Sequence, residues 1–183
     1  MRTLLCILLS AIVVSGCGSD EPKSAAPPKR KAESALAGAP APLASLHRQA
    51  NQLLPGGRAA FEKRLRSLRG YPVVVNKWGS WCDPCRAEFP FFQRQAIKRG
   101  KEIAFLGVDG QDNDANAKRF LARFPVSYPS YKDPSLNVAA SFHGAGPFPS
   151  TAFYDRKGKL AYHRQGGYAT EAKLAEDIER YAR

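Results

Sequence analysis

The chain has 183 residues, and its 28 lysines and arginines against 16 aspartates and glutamates give a formal net charge of +12. The residues from Leu46 onward are enough for one hydrophobic core and one domain. The excess of positive charge would attract anionic lipid headgroups, cell-wall polymers or acidic proteins, but a solvated surface without such a partner is the commoner interpretation.

Residues 1–16 have the order of a secretory signal. Arg2 precedes an apolar or small run from Leu4 to Val14, about half of the ~20 residues that a membrane-spanning helix needs. The run leads into Val14-Ser15-Gly16-Cys17, which resembles a bacterial lipobox. The resemblance implies cleavage before Cys17, acylation of its sulfur and amino group, and an extracytoplasmic lipoprotein anchored to a bacterial membrane. An ordinary signal peptide, or a short anchor, with a chance cysteine at its end is the alternative.

The next segment, residues 17–45, is rich in Ala, Pro, Ser, Lys and Gly and has no aromatic residue. This composition predicts a disordered spacer that holds the protein away from the membrane. The folded domain is expected at 46–183. It should begin with a helix over about 44–54 and a second one with Phe61, Leu65 and Leu68 on one face.

Two cysteines, Cys82 and Cys85, remain when Cys6 leaves with the signal and Cys17 carries lipid. They follow the β-branched run Tyr71–Trp78, which is typical of a buried central strand. A helix is expected from Pro84 to about Arg99, since Pro84 suits a helix start and Gly100 suits its end.

Three uses of this cysteine pair can be compared. A structural zinc site needs four Cys or His ligands, and His47, His143 and His163 repeat no ligand spacing, so we expect neither a metal nor a cofactor. A disulfide across two intervening residues removes little entropy from the unfolded chain, which argues against a structural staple. An exported CxxC between a strand and a helix therefore predicts redox exchange. At the helix N-terminus Cys82 should attack, and Cys85, one turn further in, should resolve the mixed disulfide.

The rest of the chain predicts a strand, a helix, a short helix, two paired strands and a last helix. These elements are expected at 103–109, 113–124, 133–142, 151–154 with 159–163, and after a cap at Thr170. The order β-α-β-α-β-β-α predicts the α/β class, with a four-stranded mixed sheet flanked by helices on both faces.

Residues 70–90, GYPVVVNKWGSWCDPCRAEFP, resemble the active-site region of TlpA-like or ResA-like thiol–disulfide oxidoreductases, membrane-tethered members of the thioredoxin superfamily. The block at 146–155 and the strand at 103–109 resemble the same family, and the resemblance covers about 58–183. It implies a thioredoxin-like fold, a redox-active Cys82–Cys85 disulfide, and a cis-proline facing that pair. The residues expected to support the site are Asn76, Trp81, Asp83, Pro84, Phe148 and the cis-proline itself, Pro149.

Three positions need separate interpretation. Asn76 stands where many thioredoxins carry a proton-relaying aspartate, although asparagine also occurs there in the TlpA-like branch. Asp83 either disfavours a thiolate at the neighbouring cysteine or is a solvated residue that suits the helix dipole. Lys77 stands where the family usually has a large apolar residue, and we expect it to extend along a strand edge to water.

The motifs predict an enzyme that exchanges electrons with protein cysteines, and a membrane redox partner as electron donor or acceptor. It would either reduce disulfides, as in apocytochromes before haem attachment, or oxidise newly exported proteins. A binding or chaperone-like module with little redox activity is the alternative. A peroxidase is disfavoured because Gly79 stands where peroxiredoxins place a threonine. We expect a monomer that binds no nucleic acid.

Overall fold

The computed structural model describes residues 29–183, so the predictions for 1–16 and for Cys17 lie outside the described part. The elements are α1 (Lys29–Leu36), α2 (Ala41–Arg48), β1 (Leu53–Leu54), α3 (Gly57–Ser67), β2 (Val73–Trp78), α4 (Asp83–Arg99), β3 (Ala104–Gly110), α5 (Asp114–Arg123), β4 (Ser130–Asp133), α6 (Asn137–Ala140), β5 (Ser150–Tyr154), β6 (Leu160–Gln165) and α7 (Glu171–Tyr181). Within 29–183, no helix combines the length and the apolar character that crossing a membrane requires.

The strands form one six-stranded mixed sheet in the order β1-β4-β3-β2-β5-β6. β1, β4, β3 and β2 are parallel to one another, whereas β5 is antiparallel to β2 and β6 is antiparallel to β5. The predicted α/β class is therefore confirmed, and the four predicted strands are β3, β2, β5 and β6. The strand number differs because β1 and β4 extend the parallel edge.

Helices cover both faces of the sheet, as predicted, and divide the core in two. Alternate residues of β2 point to opposite faces: Val74 and Trp78 join the side chains of α4, α5 and α7, whereas Val73 and Val75 join those of α2 and α3. Both faces of β2 are thus buried, each in one of the two cores. Its sequence therefore does not alternate between apolar and polar residues. This central strand carries the cysteines at its carboxyl end.

The N-terminal part corrects two predictions. The disordered spacer is wrong over 29–45, because α1 and most of α2 lie there and Leu36 and Leu43 are buried against the domain. Prolines flanking the start of α2 suit a first helical turn, so a Pro-rich composition is compatible with a helix here. The helix expected over 44–54 ends at Arg48, and Leu53–Leu54 is strand β1, paired with β4.

The helix boundaries near the cysteines follow the sequence signals. Cys82 is the N-cap of α4 and Gly100 its C-cap. Thr170 caps α7 with its side-chain oxygen, as expected, and Asn113 caps α5 in the same way. The helix predicted over 133–142 is shorter, because Asp133 ends β4 and its carboxylate accepts the backbone N–H groups of Val138 and Ala139 in α6.

Candidate active site

The two cysteines are bonded to each other where β2 gives way to α4. The Sγ of Cys82 accepts the backbone N–H of Cys85 at 3.1 Å, so this sulfur lies at the positive end of the helix dipole. Cys82 is 4% exposed and Cys85 is fully buried at 0%. Of the two cysteines only Cys82 keeps any exposed surface, so attack at Cys82 and resolution by Cys85 stay the prediction.

An aromatic pair borders the disulfide. Trp81 is 52% exposed, and its indole Nε1 donates to the Gln111 carbonyl at 3.0 Å, so a hydrogen bond fixes the exposed ring. The ring of Phe148 packs edge-on against it with centroids 4.7 Å apart. The Phe148–Pro149 bond is cis, as predicted. These contacts bring the loop before β5 to the residue that precedes Cys82.

Asp83 lies in the first turn of α4, beside Pro84, and both are exposed. The Asp83 carboxylate accepts from Arg86 at 2.9 Å, with 84% of its side chain exposed. Water and the guanidinium both reduce the field that this carboxylate exerts on the sulfur of Cys82. The geometry favours the second interpretation of Asp83, a solvated residue that suits the helix start.

The expectation for Lys77 is wrong. This side chain is 0% exposed and points into the loop that precedes β5. Its Nζ donates to the carbonyls of Gly144, Gly146 and Pro147 at 2.6, 2.7 and 2.9 Å, and it lies 3.9 Å from the centroid of the Phe148 ring. Burial lowers the pKa of Lys77 to about 8, and the charge of Asp133 opposes the shift. The central strand β2 has a neighbouring strand on each side, so it offers no edge that is open to water. The lysine side chain therefore points inward, and three backbone carbonyls take the place of water around its ammonium group.

Glu88, which the sequence analysis did not single out, is a buried acid three residues after Cys85 on α4. Its Oε2 accepts the backbone N–H of Tyr168 at 2.9 Å, and its Oε1 has no hydrogen-bond partner among the described residues. Burial raises the pKa of Glu88 to about 8, although the Tyr168 hydrogen bond and Arg164 oppose the shift. Residues three apart lie on one face of a helix, so this spacing was the available signal.

A second buried acid lies at the end of β3. Burial raises the pKa of Asp109 to about 8, and the nearby carboxylate of Asp112 adds to the shift. Asp112 in turn accepts the backbone N–H of Ser80 at 2.6 Å, which holds the loop before the cysteines. Asn76 is also buried, next to the Tyr128 hydroxyl. Asn76 on β2, Asp109 on the neighbouring strand β3 and Glu88 on α4 are thus polar side chains shielded from water.

Two other features lie outside the group of residues described above. His143 is exposed and has a φ of 63°, as a residue of a surface turn. A cavity of about 670 Å³ lies between α1, α2 and the domain, and none of the residues proposed for the redox site lines it.

One known protein family has a model that matches most of this chain. The model of the AhpC/TSA family matches residues 38–163. The thiol-disulfide oxidoreductase ResA of Geobacillus thermodenitrificans is 33% identical over 100 residues, which are 54% of this chain and 57% of that protein. ResA of Halalkalibacterium halodurans is 31% identical over 118 residues, 63% of this chain and 65% of the relative. The chain thus spans less than two thirds of the length of these curated relatives.

Solved structures with the same fold include dsbF of MTB in mixed oxidised and reduced forms. It has a TM-score of 0.58 and 28% identity over 63% of this chain and 84% of that chain. A DsbF homologue of Corynebacterium diphtheriae has a TM-score of 0.52 and 26% identity, over 63% of this chain and 75% of that one. The mixed α/β sheet described above is the fold that these structures share.

Proposed function

Since the chain belongs to the AhpC/TSA family of thioredoxin-like proteins, we propose that it is a thiol–disulfide oxidoreductase acting on protein cysteines outside the cytoplasm. One observation carries the proposal: of the two disulfide-bonded cysteines, Cys82 keeps an exposed fraction of 4%, whereas Cys85 is fully buried at 0%. A structural crosslink has no need of that difference, whereas an exchange reaction does, because attack must fall on one defined sulfur.

In the reducing direction, the Cys82 thiolate attacks one sulfur of a substrate disulfide. A mixed disulfide forms and the other substrate sulfur leaves as a thiolate. The Cys85 thiolate then attacks the Cys82 sulfur, which re-forms the Cys82–Cys85 disulfide and releases the second substrate thiol. Two electrons pass to the substrate, and a membrane dithiol partner would return them. In the oxidising direction the same steps run backwards, with a substrate dithiol as the donor.

The surrounding groups have separate roles in this proposal. The helix dipole and the Cys85 N–H favour the thiolate of Cys82. Glu88, buried one turn beyond Cys85 and protonated up to about pH 8, supplies a proton-exchanging group on the buried side of the pair. Trp81 and Phe148 form the surface on which a substrate segment rests. The neighbouring Pro149 is part of the same loop.

A direct test is insulin reduction with dithiothreitol as the electron source. The wild-type protein should accelerate the precipitation of the insulin B chain, and the Cys82→Ser variant should not. Equal rates for the two proteins would refute the redox role and favour a binding or chaperone-like module. The reduction potential then assigns the direction: a value near −270 mV, roughly that of thioredoxin, supports a reductase, and one near −120 mV, roughly that of DsbA, supports an oxidase.

We further propose that acylated Cys17 anchors the protein to the outer side of a bacterial membrane. The support is the sequence order of Arg2, apolar run, small residues and cysteine. A lipid anchor would bring the redox site close to a membrane-bound electron donor or acceptor. Apocytochromes awaiting haem attachment and newly exported proteins are the candidate substrates, and the active form is proposed to be a monomer.

A further inference from the structure

A groove of about 340 Å³ opens beside the redox site, and Trp81, whose ring also packs against Phe148, is one of its lining residues. Ser80, Trp81 and Arg86 line it from the segment around the cysteines, and α5 contributes Arg119 and Arg123. Phe120 and Phe124 form its apolar floor. Trp81 is the one large hydrophobic side chain that is exposed among residues 29–183. An aromatic ring held in the open at the entrance to a groove is typical of a binding surface.

The charges of the groove are strongly one-sided. Arg86 pairs with Asp83, but no carboxylate lies within ion-pair distance of Arg119 or Arg123 in the described part of the chain. Arg119 hydrogen-bonds to the neutral side-chain oxygen of Asn116, and the guanidinium of Arg123 lies 5.5 Å from the centroid of the Phe124 ring. Two guanidinium groups thus keep most of their donors available on one wall of the groove.

Arginine donors have a fixed fork that matches the two oxygens of a carboxylate. We propose that this groove binds an acidic stretch of polypeptide next to the cysteine that reacts with Cys82, so that the preferred substrates carry Asp or Glu on that flank. The inference rests on the proposed exchange reaction and specifies its substrate class. A polypeptide is the occupant favoured here, because the groove is continuous with Trp81 and therefore with the residue preceding the attacking sulfur.

The test uses three disulfide-bonded peptides of equal length, with Glu, Gln or Lys on the flanks of the cysteines. Each peptide is mixed with the reduced full-length protein, and the second-order rate constant for oxidation of the protein is followed by tryptophan fluorescence. Two partly exposed ion pairs, each giving up to about fivefold, predict a Glu peptide about five- to tenfold faster than the Gln peptide. Raising salt from about 0.03 M to about 0.3 M should reduce this preference.

The Arg119→Gln/Arg123→Gln variant should lose the Glu preference and keep the wild-type rate with the Gln peptide. Lys157→Gln/Lys159→Gln is the matched control, since it removes the same charge from the exposed turn between β5 and β6. It should keep the preference. A Glu preference that persists in the double arginine variant would overturn the proposal.

Two further outcomes separate this inference from the function it rests on. If wild-type protein reacts equally fast with all three peptides, the groove proposal fails and the exchange function stands. If no peptide reacts faster than with the Cys82→Ser variant, the function fails and the groove proposal with it. Vesicles of phosphatidylglycerol and phosphatidylethanolamine test the other anionic ligand. Vesicle binding that needs Arg119 and Arg123, without any peptide preference, assigns the groove to lipid headgroups and overturns the inference.

Discussion

Replacing Lys77 with methionine tests the most unusual feature of the site, a buried ammonium held by backbone carbonyls. Methionine keeps much of the volume of lysine but cannot donate a hydrogen bond. The three acceptors belong to the loop that carries Phe148 to Trp81. The variant should therefore be less stable than the wild type, and its loop should hold Phe148 less firmly.

The size of the loss follows from the three acceptors. The Gly144 carbonyl is shielded from water and would be left without a hydrogen bond, which costs about 1–3 kcal/mol of stability. The Gly146 and Pro147 carbonyls lie nearer the surface, where water can hydrate them again. Losing each of these two hydrogen bonds therefore costs about 0.5–1.5 kcal/mol of stability. The lost contact with the Phe148 ring adds about 0.5–2 kcal/mol. Relief of the buried charge opposes these losses, and we expect the free energy of unfolding to fall by about 3 kcal/mol.

The pH dependence gives a second, independent readout. In the unfolded chain Lys77 keeps its proton up to about pH 10.5, whereas in the folded protein its pKa is about 8. Between these values the unfolded state binds more protons, so the stability of the wild type gains from rising pH. The methionine variant has no such gain. The difference between the two proteins should therefore be larger near pH 10 than at pH 7.

The measurement is urea unfolding of the oxidised proteins, followed by tryptophan fluorescence at both pH values. Lys101→Met is the matched control, because Lys101 is exposed in the turn after α4, and it should change stability by less than about 0.5 kcal/mol. A Lys77→Met variant as stable as this control would refute the role of the carbonyl contacts. A difference that shrinks as the pH rises would show that the carbonyls raise the pKa of Lys77.

Three other predictions concern separate parts of the protein. In the reduced protein Cys82 should be alkylated faster than Cys85, and Cys85→Ser should trap mixed disulfides that mass spectrometry detects; equal alkylation rates would contradict the assignment. Glu88 has a folded pKa raised to about 8, so its contribution to stability is lost as pH rises from about 4.5 to 8. Glu88→Gln should therefore gain stability relative to the wild type between pH 5 and pH 8, and a constant difference in urea unfolding would count against the raised pKa. Mature protein should fractionate with membranes and carry lipid on Cys17, and Cys17→Ala should abolish both; a soluble wild-type protein with an unmodified N-terminus would exclude the anchor.

The region around the cysteines could be predicted because its signals are local. A β-branched run, a proline in a first helical turn and a glycine at a helix end come one after another along the chain, and β2 and α4 follow them closely. The same holds for the caps at Asn113 and Thr170, where one side chain satisfies a nearby backbone N–H. Such interactions need no knowledge of the rest of the chain.

The missed strands have no such local signal. β4 has the sequence Ser-Tyr-Lys-Asp and pairs with β3 and β1, which lie far away along the chain. Parallel pairing of a short strand leaves little periodicity in its own sequence. β1 has only two residues, and its leucines continue the helical spacing of α2, so the pattern assigned them to the wrong element.

Lys77 and Glu88 show the same limit within the site. The carbonyl of Gly144 lies 67 positions after Lys77, and the amide of Tyr168 lies 80 positions after Glu88. Whether a charged residue turns inward depends on partners that only the folded chain brings near it. For Glu88 the i, i+3 spacing from Cys85 could have drawn attention to the residue, but its burial follows from tertiary packing.

If Cys17 carries the proposed lipid, the docking of α1 and α2 on the domain limits how far Cys82 can lie from a bilayer. A spacer of residues 17–45, fully extended, could reach about 100 Å. Because α1 begins at Lys29, residues 17–28 span at most about 40 Å, close to the width of a domain of this size. With a lipid at Cys17, the positions that the reactive sulfur can reach are confined to a thin layer above the membrane. Cysteines that pass through this layer, on membrane-bound proteins or on chains emerging from a translocon, are the ones within its reach.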